Sequence, residues 1–384
     1  MKEKNTLQGQ MKMRRMRIWK RIFVALLVII LILIGGFAVL RYVTYEHVNV
    51  VKTYENESTS NAHYIQYADG ILEYGKDGVA MLKKNGEEIW NHPNQMNNPF
   101  VEICRETVIV ADKGGTSILV FQKDGLKGEI HTTTPIEKAS VSAQGIVAAI
   151  LMNEEVPRVM CYDAMGNVLV EHKATFSSTG YPIDVALSQD GNALIVSYIG
   201  VKGATTQANV VYYHFGEAGA DKDEHRVATM SYSETIVPIA AFLNKSTSLL
   251  VTDHSLVLVK DVEQPEVVCE VELDKEVKSI AYNEDMIAVV LKNNTISGYE
   301  LRAFKTNGEL LFQTEFEGEY SNLKVVDDTV ILYDGSKCAI YNRVGVCKYA
   351  GNIELQILDI FPVMGIEKYN VISANGFQEI QLAK

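Results

Sequence analysis

Hydrophobic and polar positions alternate in short runs along most of this chain. Runs of four to eight residues rich in Val, Ile, Leu, Tyr and Phe are separated by Gly, Asn and Asp, and no long amphipathic helical period follows residue 41. Such runs are typical of β-strands, and the residues between them are typical of turns. The pattern therefore predicts an all-β chain.

Hairpin dipeptides recur between the strand-like runs, at Asn85-Gly86, Asp124-Gly125, Gly166-Asn167 and Asn307-Gly308. Tight hairpin turns need a positive φ, which these residues tolerate. From Gly86 to Gly345 the chain covers 259 residues in six repeat steps, or about 43 residues per step. This period with four short strands per repeat is typical of propeller blades. We predict a β-propeller with eight blades, with seven as the alternative.

The predicted blades each contain strands A to D, counted from the centre outwards. They cover residues 63–91, 100–132, 136–173, 182–230, 237–273, 276–316, 320–350 and 355–382. The A strand of the first, His63–Tyr67, is short, and its place in the ring decides between eight blades and seven. The eighth ends one strand short, whereas the strand-like segment Val48–Tyr54 precedes blade one. We expect Val48–Tyr54 to pair beside Phe377–Leu382 as the missing outer strand, because a closed ring leaves no exposed sheet edge.

One segment departs from the strand pattern. Ile22–Leu40 forms 19 consecutive uncharged, mostly apolar positions. At about 1.5 Å per residue, a helix of this length crosses a hydrocarbon core of roughly 30 Å. The run continues to Arg41 without a convincing cleavage site, which favours an uncleaved anchor over a cleaved signal peptide. We therefore predict one transmembrane helix at residues 22–40.

Charge predicts the orientation of this helix. Residues 1–21 contain eight basic residues and one acidic residue, Glu3, and a basic flank stays in the cytoplasm. We expect residues 41–62 to form a stalk with the ring-closing strand, and residues 63–384 to form an extracytoplasmic propeller at the cell membrane. Because the outer strand of the last blade follows the anchor closely, the A–B and C–D turns should face the membrane.

The net charge excludes one class of partner. The whole chain carries −12, and subtracting the +7 of the tail leaves −19 for everything after it. Binding to nucleic acid needs a basic footprint. We therefore expect no nucleic-acid partner.

Residue patterns for catalysis, cofactors and metals are weak. No nucleophile elbow, zinc-protease, P-loop or dinucleotide motif occurs, so we predict no catalytic, cofactor-binding or metal-binding residues and no cofactor. Propeller enzymes, however, can assemble a site from single residues on several blades. His92, His131 and His172 recur at the ends of three D strands, but the outermost strands of different blades are too far apart to share one ion.

Five cysteines show neither a metal-binding pair nor an even number for a disulfide framework. Cys338 and Cys347 would face each other across a two-residue turn at Asn342-Arg343, whereas a one-residue shift in register would separate them. A disulfide and two free thiols both remain open.

Blade four differs from the others. An insertion at Gly200–Asn209 separates strands B and C, and the acid-rich Gly216–His225 separates C and D. Extended loops on a rigid scaffold are common places for recognition. We therefore predict a partner contact on the face away from the membrane, and we interpret Gly216–His225 as a solvated acidic loop. The predicted partner-binding residues are Lys202, Thr205, Thr206, Gln207 and Asn209.

With its anchor, Asn-Gly hairpins and incomplete last blade, the chain resembles uncharacterised single-pass membrane-anchored propeller proteins of Gram-positive bacteria, related in shape to quinoprotein-like and WD40-like repeats. The resemblance covers roughly residues 15–384. The Gly-His and Trp-Asp dipeptides of WD40 blades and the recurrent tryptophan of quinoprotein blades are missing, since Trp90 is the one tryptophan after the anchor. No family active-site residue is carried over.

These observations favour a non-catalytic propeller that binds a protein or peptide partner or acts as a scaffold of the cell envelope. One alternative is an enzyme with its site at the mouth of the central channel. Polar residues converging there from several inner strands, with a perturbed carboxylate, would favour it. A second alternative is a ligand sensor that acts through another membrane protein.

Overall fold

The computed structural model describes residues 7–55, 62–152, 156–173, 180–293 and 298–384. A long helix, α1, occupies Leu7–Tyr42, and the rest of the described chain forms eight four-stranded antiparallel sheets. The first strands of most neighbouring sheets contact each other, including those of the first and last sheets, so the sheets stand radially around a central axis. This is the arrangement of an eight-bladed β-propeller.

The strands of blades one to four follow the order A, B, C, D from the centre outwards. Their bounds are β2 His63–Tyr67, β3 Gly70–Tyr74, β4 Gly78–Leu82, β5 Glu88–Pro93, β6 Pro99–Cys104, β7 Thr107–Asp112, β8 Ser117–Gln122, β9 Gly125–His131, β10 Ile136–Val141, β11 Val147–Leu151, β12 Arg158–Tyr162, β13 Val168–Lys173, β14 Tyr181–Leu187, β15 Ala193–Lys202, β16 Thr205–His214 and β17 Arg226–Ser233. A short helix, α2 Glu217–Ala220, lies between β16 and β17.

Blades five to eight repeat this order, and the last is completed by the strand that follows α1. Their bounds are β18 Ile239–Phe242, β19 Thr247–Val251, β20 Ser255–Lys260, β21 Glu266–Glu272, β22 Val277–Tyr282, β23 Met286–Lys292, β24 Gly298–Lys305, β25 Leu310–Glu317, β26 Asn322–Val326, β27 Thr329–Asp334, β28 Lys337–Asn342, β29 Cys347–Asn352, β30 Ile357–Pro362, β31 Lys368–Ser373, β32 Gly376–Ala383 and β1 His47–Glu55. All eight predicted blades, including the doubtful first one, are confirmed.

The ring closes through the pairing of the two ends of the propeller. Strand β1 lies antiparallel to β32, with Val48 opposite Leu382 and Tyr54 opposite Phe377. The predicted closure is therefore confirmed. Residues 56–61, between β1 and blade one in the sequence, lie outside the described part of the chain.

Large flat side chains fill the spaces between blades. Trp90 of blade one stacks on Phe121 of blade two, with ring centroids 5.0 Å apart and planes at 7°. The ring of His172 in blade three stacks on Tyr213 of blade four at 4.3 Å. Strands in the middle of the blades are buried on both faces, as in β7 and β11. Apolar packing between blades thus holds the ring together, as the Val-, Ile- and Leu-rich runs predict.

The antiparallel order divides the turns between two faces. The A–B and C–D turns form one face, which we call the anchor face because α1 ends there. The D–A and B–C turns form the opposite, distal face. The predicted hairpin glycines Gly86, Gly125, Gly166 and Gly308 all lie in C–D turns with φ between +83° and +119°.

The predicted span at residues 22–40 lies within α1. The side chains of residues 32–34 and 37–39 are outside the described part of this helix. No helix in the part of the chain that is described combines the length and apolar character that crossing a membrane requires.

A buried lysine fixes the end of α1 to the anchor face. The Lys348 ammonium donates hydrogen bonds to the carbonyl oxygens of Leu40 at 2.7 Å and Val43 at 2.8 Å. Asn342 donates to the Arg41 carbonyl at 2.8 Å. The last carbonyls of a helix lack hydrogen-bond donors within the helix and carry partial negative charge. A lysine at this end donates hydrogen bonds to them and neutralises part of that charge.

The position of Lys348 follows from a β-bulge. Between β28 and β29 the register skips so that Ile340 faces Tyr349 and Tyr341 faces Cys347, leaving Lys348 unpaired in the ladder. Such a bulge re-aims a side chain. The Lys348 side chain is only 3% exposed and forms an ion pair with Glu367 of blade eight at 2.9 Å. Blades seven and eight therefore share one contact with the helix end.

Closure by β1 predicts a stability difference between two valines of that strand. Val48 is half-buried and packs against the blade-eight core, whereas Val51 lies at a bulge and is 47% exposed. Val48→Asp should lower the free energy of unfolding by about 2 kcal/mol, because it loses apolar burial and desolvates a carboxylate. Val51→Asp should change it by less than about 0.5 kcal/mol. Denaturant titration in detergent measures both, and equal losses would contradict the role of β1 in closure.

Loss of the lysine contact predicts a loosened helix end. Lys348→Met keeps the length of the side chain but leaves the helix carbonyls and Glu367 without their cation. The free energy of unfolding should fall by about 1–3 kcal/mol, and amide hydrogens of residues 43–46 should exchange faster. The control is Lys368→Met, which breaks a more exposed ion pair with Glu379 and should cost less than about 1 kcal/mol. Unchanged exchange at residues 43–46 would show that Lys348 does not hold the helix.

Candidate functional site

The inner strands of blades two to six surround a cavity of about 540 Å³ in the central channel. Strands β6, β10, β14, β18 and β22 form its wall, and the A–B turns of blades two, four and six form its end at the anchor face. Successive side chains of a strand point to opposite sides. The inner strands therefore alternate between packing against their own blade and facing this cavity.

Three charged residues on neighbouring inner strands face the cavity: Glu102 on β6, Lys138 on β10 and Asp184 on β14. One Asp184 carboxylate oxygen accepts the backbone N–H of Ala240 at 2.8 Å. The other lies 3.4 Å from the Lys138 ammonium. Asp184 is buried. Its carboxylate contacts the inner strand on each side, through Lys138 of blade three and Ala240 of blade five. Tyr282 on β22 completes the polar wall from the other side.

The Glu102 carboxyl faces water inside the cavity but is enclosed by the ring. This enclosure, together with the nearby Asp184 carboxylate, raises the pKa of Glu102 to about 7, and Lys138 offsets part of the increase. Burial also raises the pKa of Asp184, against the opposing effect of Lys138. Burial and these two carboxylates raise the pKa of the Tyr282 hydroxyl. The wall can thus hold a proton near neutral pH and interact with a cationic or hydrogen-bonding group.

The anchor-face end of the cavity is bridged by polar side chains. Arg105 in the A–B turn of blade two forms an ion pair with Glu284 in the A–B turn of blade six at 2.5 Å. Gln189 of blade four donates to Glu284 at 3.1 Å and accepts from Arg105 at 3.4 Å. Blades two and six are four positions apart in a ring of eight, so the ion pair crosses the mouth of the channel.

Sequence reasoning did not single out Glu102, Lys138 or Asp184. A signal was present for Glu102 and Asp184, since each is the one charged residue within an otherwise largely apolar inner strand, whereas Lys138 lies on a strand that also contains Glu137 and Ser140. Strand periodicity assigns each residue to one side of a strand, but it does not show which charged positions from different blades meet.

The predicted partner-binding residues all lie on one hairpin of blade four. The prediction of an inserted loop at Gly200–Asn209 is wrong, because β15 and β16 continue as paired strands as far as Lys202 and Thr205. Gly203, with φ +68°, and Ala204 form the turn. Gly200 lies within β15, and a side chain there would make only ordinary contacts, whereas a Cβ at the neighbouring Gly180 would collide with the backbone of Ile199.

This hairpin projects from the distal face. Its partner strands stop earlier, since β14 pairs only up to Ile199 and β17 only up to Gln207. Lys202, Thr205 and Thr206 are exposed, whereas Gln207 and Asn209 are half-buried. Asn209 accepts a hydrogen bond from Ser231 at 2.7 Å, so it has a structural contact as well.

The acid-rich segment Gly216–His225 contains α2 and a single turn of 3-10 helix. Its Glu224 forms an ion pair with Arg226 at 3.1 Å. Among the described residues, no three His, Cys, Asp or Glu side chains are grouped so that they could hold a metal ion. The three periodic histidines lie on β5, β9 and β13, the outer strands of three different blades.

All five cysteines are free thiols. Cys347 faces Tyr341 and Cys338 faces Gly351, because the turn is longer than two residues and is closed by the bond from the Asn342 N–H to the Val346 carbonyl. The register that would have joined Cys338 to Cys347 does not occur.

Eight four-stranded blades around a polar channel define this chain as an eight-bladed β-propeller. The chain belongs to a family of unknown function, DUF5711, whose profile matches residues 41–382. No curated protein matches the sequence.

Many solved structures match the fold, among them the following two. BamB from Moraxella catarrhalis superposes with a TM-score of 0.53 at 14% identity, covering 88% of this chain and 98% of BamB. A eukaryotic initiation factor superposes with a TM-score of 0.45 at 11% identity, covering 75% of this chain and 68% of that one. At 14% identity the similarity to BamB is one of fold alone, and the second similarity is too weak to support an argument.

The raised pKa of Glu102 predicts a pH-dependent stability. A carboxyl whose pKa is higher in the folded than in the unfolded state contributes stability at low pH that is lost as pH rises through the folded value. Glu102→Gln removes this pH-dependent loss of stability, because the glutamine side chain does not ionise. The variant should become progressively more stable than the unmodified chain from about pH 4 to about pH 7, measured as the difference in melting temperature.

Lys138→Met provides the check on this prediction. Because Lys138 lowers the pKa of Glu102, its removal should raise that pKa further, so that the stability loss extends to a higher pH and becomes larger. A difference between the Glu102→Gln variant and the unmodified chain that stays constant with pH would show that Glu102 is not the titrating group.

Proposed function

We propose that this chain is a membrane-anchored, extracytoplasmic propeller that binds a protein or peptide partner of the cell envelope, without catalysis, on its distal face. The observation that carries this proposal is the opposite placement of two features. The end of α1 is hydrogen-bonded to the anchor face through Lys348, and the hairpin formed by β15 and β16 projects from the distal face.

The anchor rests on the sequence of α1. Residues 22–40 contain no charged side chain, and the preceding 21 residues contain eight basic ones. A helix of this composition suits a bilayer with its basic end in the cytoplasm. Because Lys348 and Asn342 hold the last carbonyls of α1, the propeller would sit with its anchor face toward the bilayer and its hairpin directed outward.

The hairpin suits a partner contact for two reasons. Its tip extends beyond the neighbouring strands, so residues there can be changed without disturbing the ring. Its exposed side chains combine the Lys202 cation, the hydroxyls of Thr205 and Thr206, and Val201, which is 62% exposed. Val201 and Thr206 are paired on one side of the hairpin and Lys202 and Thr205 on the other, so each side offers hydrogen-bonding or charged groups to a partner.

Site-specific photo-crosslinking in intact cells tests this proposal. A photoreactive amino acid replaces Lys202 at the hairpin tip, and the control replaces Lys83, which is also exposed and lies in a C–D turn of the anchor face. We expect an envelope protein to be captured from position 202 and not from position 83. The double variant Lys202→Ala/Thr206→Ala should then weaken binding of the captured protein by roughly tenfold or more.

The contrary outcomes are specific. Equal capture from both positions, or unchanged affinity in the double variant, would refute the distal face as the binding surface. Resistance of residues beyond Arg41 to protease in intact, wall-stripped cells would refute the extracytoplasmic location.

A second candidate function is favoured by the polar wall of the channel. Carboxyl groups with raised pKa in an enclosed cavity are common at catalytic and ligand-binding sites. Under this hypothesis Glu102 and Asp184 would act on a small substrate or bind a small ligand. Glu102→Gln would then abolish turnover or ligand retention, whereas the hairpin variants would leave both intact.

A further inference from the structure

The A–B loop of blade eight presents apolar side chains beside the end of α1. Met364 is 95% exposed and Ile366 is 59% exposed. The next residue, Glu367, forms the ion pair with Lys348, which in turn holds the helix carbonyls. The two apolar side chains therefore lie within a few residues of the point where the helix meets the propeller.

This loop is held in place by backbone hydrogen bonds. The Val363 N–H bonds to the Lys368 carbonyl at 2.9 Å, and the Leu382 N–H bonds to the Glu367 carbonyl at 3.0 Å. Gln381 also donates to the Ile366 carbonyl at 3.2 Å. Gly365 adopts φ +133°, which a side chain would disfavour. These bonds hold both ends of the loop, at Val363 and at Ile366–Lys368, so Met364 and Ile366 project from a base that is fixed to blade eight.

Exposed apolar side chains are distributed unequally between the two faces. In the anchor-face half they include Ile89, Leu126, Met165, Val268 and Leu310, which lie in C–D turns or at the starts of D strands. At the turns and strand ends of the distal face, the large exposed apolar side chains of the described residues are Val201 and Leu358. Contiguous exposed apolar surface marks contact with another protein or with a membrane.

We propose that the blade-eight loop at residues 363–367 is a lipid contact, inserting Met364 and Ile366 into the interfacial layer of the bilayer in which α1 is anchored. The position of the loop beside the end of α1 favours lipid over a protein partner as its contact. A bilayer that surrounds residues 22–40 must lie next to this loop. Apolar side chains at such a depth stabilise contact through buried area. The proposal rests on the membrane anchoring of the proposed function, and it adds that the propeller itself touches the lipid and has a fixed tilt.

Fluorescence quenching in vesicles tests the contact with the full chain. Met364→Trp is introduced in a Trp19→Phe background, and the chain is reconstituted into phosphatidylcholine vesicles with or without bromine atoms near the headgroup end of the acyl chains. The control carries Val201→Trp in the same background, on the distal face. Trp90 is common to both variants. The unmodified chain, in which Trp19 precedes the apolar run, reports insertion of α1 separately.

We expect brominated lipid to quench most of the emission added by Met364→Trp and none of that added by Val201→Trp. Flotation with the vesicles and quenching of Trp19, but no quenching from position 364, would overturn the lipid contact while leaving the anchor intact. Equal quenching from positions 364 and 201 would overturn the fixed tilt. A chain that does not float with the vesicles would refute the anchor, and the lipid contact with it.

Discussion

The pairing of β1 with β32 is the constraint on which the rest of this structure depends. Blade eight takes three strands from the end of the chain and its outer strand from the segment after α1, so the ring closes only when distant parts of the sequence meet. This pairing removes the open sheet edge that three strands would leave. It also brings the end of α1 to one face of the propeller, because β1 begins at that face.

The contact between Lys348 and α1 depends on a β-bulge that recurs in other blades. A bulge interrupts the pairing of the C and D strands in each of blades one to seven. In blade one the bulge leaves the apolar Ile89 exposed, whereas in blade seven it directs the buried Lys348 at the carbonyls of α1. The bulge is common to these blades, and in blade seven the Lys348 side chain at the bulge attaches the end of α1. Because Lys348 also pairs with Glu367, the attachment joins the two blades beside the ring closure.

The channel and the hairpin offer different kinds of surface. The channel encloses charged groups whose neighbours alter their proton affinity, and Arg105 and Glu284 bridge its anchor-face mouth. The hairpin exposes neutral and cationic groups on strands that extend beyond their sheet. Small ligands suit the first surface and macromolecular partners suit the second. The similarity to BamB concerns the fold, so the choice between these surfaces depends on their own chemistry.

The sequence by itself determined the repeat, the approximate position of most strands and the ring closure, because alternating apolar positions and glycine turns are local signals that a strand must satisfy wherever it lies. It placed His63–Tyr67 in the ring and paired Val48–Tyr54 with the last strand. It failed at Gly200–Asn209, where a glycine within a continuous hairpin was interpreted as the start of a loop. Only the tertiary structure brought Glu102, Lys138 and Asp184 together and placed Lys348 against the helix end. These contacts depend on how far each blade is rotated about the axis and on where each bulge shifts the register, and neither quantity is encoded in a local pattern.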